Sequence, residues 1–284
     1  MAISRSYGIG VMCVVVAALA WSTAGLFTRM VSTDIPTTLL WRSVFGGGSV
    51  LMIYVIMNKP GSVRELFRFK AGEFVVALIS ALGMMCFISA FYYTSIANVS
   101  FVYGVMPLVT MLIAWLVLRN PLTMAGVFST VLSGLGVAVL VWGSQDFGDL
   151  FGIGLSFLMT LSMAAVTVAA KFFPDADAIK SAYLSGFIAA ILVFPFSHSL
   201  SASPGDLLWL AVYGLVNVGL GFGVYLVGVA RVPALAAALI GLSEVPLAPV
   251  WALLLFDEQV SLPMIIGGGL VIVASVSYIL ATTR

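Results

Sequence analysis

The stretch Phe74–Leu118, FVVALISALGMMCFISAFYYTSIANVSFVYGVMPLVTMLIAWLVL, carries no charged side chain from end to end. At ~1.5 Å per residue a single helix of this length would run about 67 Å, more than twice the ~30 Å of bilayer hydrocarbon. It therefore reads as two membrane spans, about 74–96 and 99–118, with the turn near Ala97 and Asn98.

Working outward with the same ruler gives further spans at about 9–30, 37–57 and 123–142 before the chain midpoint. Beyond it come 152–171, 179–196, 207–229, 233–255 and 263–281. Pro36, Pro60, Pro121, Pro174, Pro204 and Pro263 fall in connections or at span starts, as helix-boundary prolines should. Composition agrees. Hydrophobic residues make up 62% of the 284 and charged residues 8%, with a mean hydropathy of +1.19, more apolar surface than a water-soluble core can hide. The expected fold is an all-α polytopic membrane protein with ten transmembrane helices. The first apolar run is long enough to span and no small-residue cleavage site clearly ends it, so a cleaved leader is not expected.

Orientation follows from the basic residues. Counting alternate connections, one side receives Arg5, Lys59, Arg64, Arg68, Lys70, Arg119, Lys171, Lys180, Arg231 and Arg284, and the other only Arg29. Both termini are therefore expected on the cytoplasmic side. Asp34, Asp146, Asp149, Asp206, Asp257 and Glu258 lie opposite. Net charge is +1 and no charged block stands out, which argues against nucleic-acid binding. Cys13 and Cys86 sit in apolar stretches and read as small hydrophobes. The single histidine, His198, reads as a solvated residue in a connection, and neither a metal nor a cofactor is expected.

A weak internal repeat organises the chain. Tyr92 precedes Ala97 and Asn98 at the spacing with which Tyr225 precedes Ala230 and Arg231. MPLVTMLIAWLVLRNPLT from Met106 aligns with EVPLAPVWALLLFDEQVS from Glu244, apolar positions in register. Gly10 and Arg29 match Gly152 and Lys171. The repeats are 1–145 and 146–284, each with five spans, and an odd number turns the second copy over in the membrane. An inverted pair can expose a site between its halves to each side in turn, whereas the plain alternative is duplication into a stable bundle or a channel.

The five-plus-five order and the segment EVPLAPVWALLLFDEQVSLPMIIGGG (Glu244–Gly269) resemble the drug/metabolite transporter superfamily, and within it the EamA-type exporters. Glu244, Glu258 and Gly267 fit the pattern of an acidic residue or proline entering the ninth span, a Glu after it and a glycine-bearing tenth. Trp21 and Arg42 match residues frequent in that family, whereas Met106 and Asn120 stand where an acidic residue is expected. The resemblance implies a bacterial inner-membrane exporter of metabolites such as amino acids, working by alternating access. The chain is most similar to exporters of aromatic or other bulky apolar amino acids.

The residues give their own reading of the cargo. Arg42 and Glu244 alone among the charged residues fall well inside spans, and a charge held there costs at least about 2.5 kcal/mol. An amino acid is a zwitterion, and this pair can offer a cation to its carboxylate and an anion to its ammonium. A structural ion pair between helices, or an Arg42 snorkelling outward, accounts for the same residues. Trp21, Tyr92, Tyr103, Tyr225 and Trp251 are the candidate aromatic wall, although each also suits helix packing or the interfacial belt. Asn98, Asn217 and Ser22 can assist, or join helices. Glu244 is the candidate proton carrier, since a carboxyl in hydrocarbon is held most cheaply as the neutral acid. No sodium-site pattern is read.

Candidate bending points are Pro107, Gly219, Gly221, Gly223, Pro246 and Pro249, with Pro246 expected to free carbonyls beside Glu244. Close helix packing is the plainer account of the glycines. The sequence has no HExxH, no GxSxG and no paired aspartates within a span, so no enzyme is expected. A proton-coupled cationic drug exporter, with Glu244 on the drug and Arg42 structural, is the rival within transport. A channel or scaffold is the rival outside it. The expected partners are a small-molecule substrate and membrane lipid.

Overall fold

A computed structural model describes residues 5–94, 99, 102–142, 150–197, 201–247, 251, 254 and 262–282, and the regular structure among them is helical. Helices α1 (Arg5–Ser22) and α2 (Ala24–Met30) share one rod, followed by α3 (Ile35–Asn58), the short α4 (Val63–Leu66) and α5 (Ala71–Tyr93). Then come α6 (Met106–Leu118), α7 (Met124–Trp142), α8 (Leu150–Phe172) and α9 (Ala178–Val193). Helix α10 (Pro204–Tyr213) runs on through a π-helical stretch, Gly214–Gly223, into α11 (Val224–Val229). Helices α12 (Ala234–Gly241) and α13 (Leu262–Thr282) complete the order. Pro36, Pro107 and Pro204 stand in the first two positions of their helices, where a missing N–H leaves no bond unmade.

Six of these rods are long and apolar enough to cross a membrane: Arg5–Thr28, Ile35–Asn58, Ala71–Tyr93, Leu150–Phe172, Ala178–Phe196 and Pro204–Val229. Met106–Leu118, Met124–Val139, Ala234–Leu247 and Ile265–Ala281 are shorter apolar helices that overlap the other four expected spans. The turn expected at Ala97 and Asn98 lies outside the described residues, as do His198, Pro249, Asp257 and Glu258.

Four expected spans are interrupted where hydropathy gave no sign of it. The first breaks at Thr23, where the hydroxyls of Thr23 and Ser22 donate to the carbonyls of Ala20 and Leu19, the kind of local bond that competes with a helix. The fourth turns at Gly104–Val105 before α6 begins, and the ninth at Leu242–Ser243, after which residues 244–247 are helical again. The eighth keeps its course but widens into the π-helical stretch, a rare geometry that is frequent at functional sites.

Packing pairs the rods across the chain midpoint. Helix α3 lies on α9, and α7 on α13. Helix α5 packs on α8, and α1 on the π-helical stretch and α11. Helix α5 also meets α9, while α3 meets α10 and the π-helical stretch; α6 meets α8, while α1 meets α12. Exchanging first-half for second-half rods turns this set of contacts into itself. Small residues set the closest crossings: a Cβ on Gly186 would come within 2.9 Å of the Gly47 backbone, and one on Gly214 within 2.5 Å of the Arg42 carbonyl oxygen.

Candidate functional site

Arg42 sits about a third of the way along α3 at 3% exposure. Its guanidinium carbon lies 4.7 Å from the centroid of the Tyr213 ring, a cation–π contact. Tyr213, the last residue of α10, stacks on Phe27 at 5.2 Å, and its hydroxyl lies 3.4 Å from that of Thr28. Arg42 Nε and Nη1 are buried with no hydrogen-bond partner among the described residues. Leaving charged donors unmet in an apolar interior is costly.

Glu244 follows directly on the break at Leu242–Ser243. It is 9% exposed, and its Oε2 is likewise buried without a hydrogen-bond partner. The expectation that Pro246 frees carbonyls into a cavity is corrected here: the one it cannot engage, on Leu242, accepts the Val245 N–H at 3.1 Å instead. Asn217, in the π-helical stretch, donates from Nδ2 to the Ala20 carbonyl at 3.1 Å, and its own carbonyl accepts the Trp21 indole N–H at 3.0 Å. Its Oδ1 has no hydrogen-bond partner among the described residues.

These three groups face one cavity. Trp21, Arg42, Tyr103, Asn217 and Glu244 line it together with Met84, Phe87, Met159, Met163, Phe222 and Gly83. Its volume is about 40 Å³, room for a few waters. Each irregular place in the helices delivers a lining residue: Trp21 stands two residues before the break at Thr23, Tyr103 directly before Gly104–Val105, Asn217 and Phe222 within the π-helical stretch, and Glu244 directly after Leu242–Ser243.

Of the residues singled out from the sequence, Trp21, Arg42, Tyr103 and Glu244 are thus brought to one wall. Tyr225 and Trp251 stand behind it. Tyr225 packs on Trp21 with ring centroids 4.9 Å apart, and its hydroxyl lies 2.6 Å from that of Thr167. Because the Thr167 hydroxyl donates to the Met163 carbonyl, Tyr225 is the donor between the two. Trp251 donates its indole N–H to Ser22 Oγ at 2.8 Å. Tyr92, 41% exposed, does not line the cavity.

Pro107 is at the start of α6 rather than at a bend within it. Gly219, Gly221 and Gly223 all belong to the π-helical stretch, and Pro246 packs against Gly268, where an added Cβ would meet it at 2.6 Å. Tyr213, the four flexible or aromatic groups Met84, Phe87, Met159 and Met163, and Phe222 were not singled out from the sequence. Among so many apolar residues no spacing marks them.

Comparison with known proteins sets this cavity in a family. The model of the EamA-like transporter family matches residues 8–142 and again residues 150–280. The chain belongs to the EamA-like transporter family. A curated relative of this EamA-like chain, described as "Uncharacterized transporter sll1164" from Synechocystis sp. (strain PCC 6803), is 26% identical over 223 residues. That alignment covers 71% of this chain and 63% of the relative, so the chain spans somewhat less than two thirds of that relative's length. A solved crystal structure 18% identical to this EamA-like chain superposes with a TM-score of 0.81, covering 99% of this chain and 98% of the other. At that identity the likeness is one of fold.

Proposed function

We propose that this EamA-like protein is a secondary transporter that exports small metabolites, amino acids with aromatic or bulky apolar side chains foremost, across the bacterial inner membrane by alternating access. Its architecture is read as ten spans in two inverted halves with both termini cytoplasmic. The separate family match to each half and the exchangeable pattern of helix contacts support that reading. The one observation that carries the cargo is the set of unmet buried groups on a single cavity: Arg42 Nε and Nη1, Asn217 Oδ1 and Glu244 Oε2. A zwitterion meets all three. Its carboxylate takes the guanidinium donors, and its ammonium donates to Glu244 and Asn217.

The side chain of the cargo lies against Met84, Phe87, Met159, Met163 and Phe222. The cavity is too small for it as it stands, and the unbranched methionines supply the adaptability a bulky group needs. Glu244 is also the group to carry a coupling proton.

The contact of Arg42 with Tyr213 favours a second reading, in which Arg42 is structural and Glu244 binds a cationic drug. Purified protein in liposomes separates the two. Labelled aromatic amino acids should accumulate, and cationic drugs should not; uptake of drugs without amino acids reverses the assignment, and selectivity-free flux of both would make the protein a channel.

A further inference from the structure

Two carboxylates outside the cavity occupy matching places in the two halves. Glu73 and Asp206 are related by the same spacing that relates Tyr92 to Tyr225, and each stands in the first turn of its helix, α5 and α10. Each also reaches across to the connection that leads into a rod of the other half. Glu73, 2% exposed, accepts the N–H of Asp177 at 3.1 Å and of Lys70 at 2.8 Å. Asp177 is the cap of α9. Asp206 accepts the backbone N–H of Ser32 at 3.0 Å and its hydroxyl at 3.0 and 3.2 Å, and Ser32 stands just ahead of α3.

The two contacts lie at opposite ends of the bundle, because α5 and α10 begin at opposite ends when the halves are inverted. The Glu73 end is the basic face. There Lys70 Nζ donates to the Asp175 carbonyl at 2.7 Å, Lys180 Nζ to the carbonyls of Glu65 and Arg68 at 3.0 Å, and the Tyr183 hydroxyl to the Leu66 carbonyl at 2.6 Å. Behind them lies a cavity of about 210 Å³, lined by Val76, Lys171, Pro174, Ala176, Ser181 and Leu226 among others. The two cavities have no lining residue in common.

We propose that Glu73 and Asp206 are paired latches, one on each face, whose release in turn opens the carrier first to one side and then to the other. The inference rests on the alternating-access reading above. With both latches made, each end of the bundle is tied across its two halves. Releasing Glu73 frees the 173–178 connection from α5 and joins the basic-face cavity to the central one. Releasing Asp206 frees the 31–34 connection from α10 and opens the opposite end. The basic-face latch is the stronger, being buried and reinforced by two lysines and a tyrosine.

Spin-label distances in lipid nanodiscs test this. With Cys13 and Cys86 replaced by alanine, labels at Ser62 and Asp175 read the basic face, and labels at Met30 and Leu208 read the other; all four positions are exposed. Loss of a hydrogen bond to a charged group should raise the open-to-closed ratio at that face roughly tenfold. Glu73→Gln should lengthen the Ser62–Asp175 distances and leave Met30–Leu208 unchanged. Asp206→Asn and Ser32→Ala should do the reverse. If Glu73→Gln does not fold, Lys70→Met, at an exposed position, carries the same expectation at smaller scale. Distances that do not respond, or that lengthen at both faces together in either variant, overturn the proposal. The distances are read without cargo. Failed amino-acid uptake with responsive distances therefore removes the cargo and keeps the latches, and normal uptake with unresponsive distances does the opposite.

Discussion

Trp21 packs so closely on Gly221 that no side chain fits there: a Cβ on Gly221 would lie 2.5 Å from the indole Nε1 of Trp21. The same Nε1–H is the donor to the Asn217 carbonyl, so one missing methyl group holds the indole in the cavity wall and keeps the π-helical stretch against α1.

Gly221→Ala should therefore push Trp21 off Asn217 and towards the cavity. Overpacking of this kind costs about 1–3 kcal/mol. A lower melting temperature in detergent, together with weaker uptake, is the expected result. Gly48→Ala, where an added Cβ meets nothing within 4 Å, should change neither.

Arg42 has two jobs in the proposed mechanism, and Tyr213 separates them. Tyr213→Phe keeps the ring beneath the guanidinium and should leave uptake within a few-fold of the parent. Tyr213→Leu removes it, with a loss of about 0.5–2 kcal/mol in stability or affinity. Arg42→Lys should abolish most amino-acid uptake, because an ammonium lacks the paired donors that grip a carboxylate. Full uptake in Arg42→Lys would leave the guanidinium without a role in binding.

Glu244→Gln keeps shape and removes the charge. Affinity for the amino-acid ammonium should fall about 10–100-fold, the worth of about 1.5–3 kcal/mol in a charge-assisted bond. A binding isotherm on purified protein reads this directly. Unchanged affinity with altered dependence on an imposed pH gradient would assign Glu244 to proton coupling alone.

Behind the wall, Thr167→Val should be worse than Tyr225→Phe. The first strands a buried Tyr225 hydroxyl, whereas the second leaves Thr167 still bonded to the Met163 carbonyl. A difference of about 1 kcal/mol in thermal stability is expected, and Met163 should shift in the first variant only.

Much of the helical layout was legible because length against bilayer thickness is a hard constraint. Phe74–Leu118 had to fold back, and it supplies α5 and α6 as separate helices. Arg42 and Glu244 were legible as a pair for a related reason: an ionised group in hydrocarbon needs a destination, and both reach one cavity. The partners of these residues were not legible. Tyr213 is one tyrosine among nine, and nothing in an apolar helix says which face meets an arginine. Met159 and Met163 look like any lipid-facing residue until the helices are packed. The breaks at Thr23, Gly104–Val105 and Leu242–Ser243 were hidden for a different reason. Hydropathy averages over about a whole span, and an interruption of one or two residues leaves the average untouched.

Gly214–Gly223 gives the eighth rod a property that straight helices lack. A π-helix fits more residues into each turn than an α-helix does, so this stretch stores slack. Rewinding it to the tighter form would lengthen the rod and swivel everything beyond it, turning Tyr225 away from Thr167 and Trp21 while every backbone bond finds a new acceptor. Such a rewind would carry the far end of the rod along its axis while the near end stayed in place.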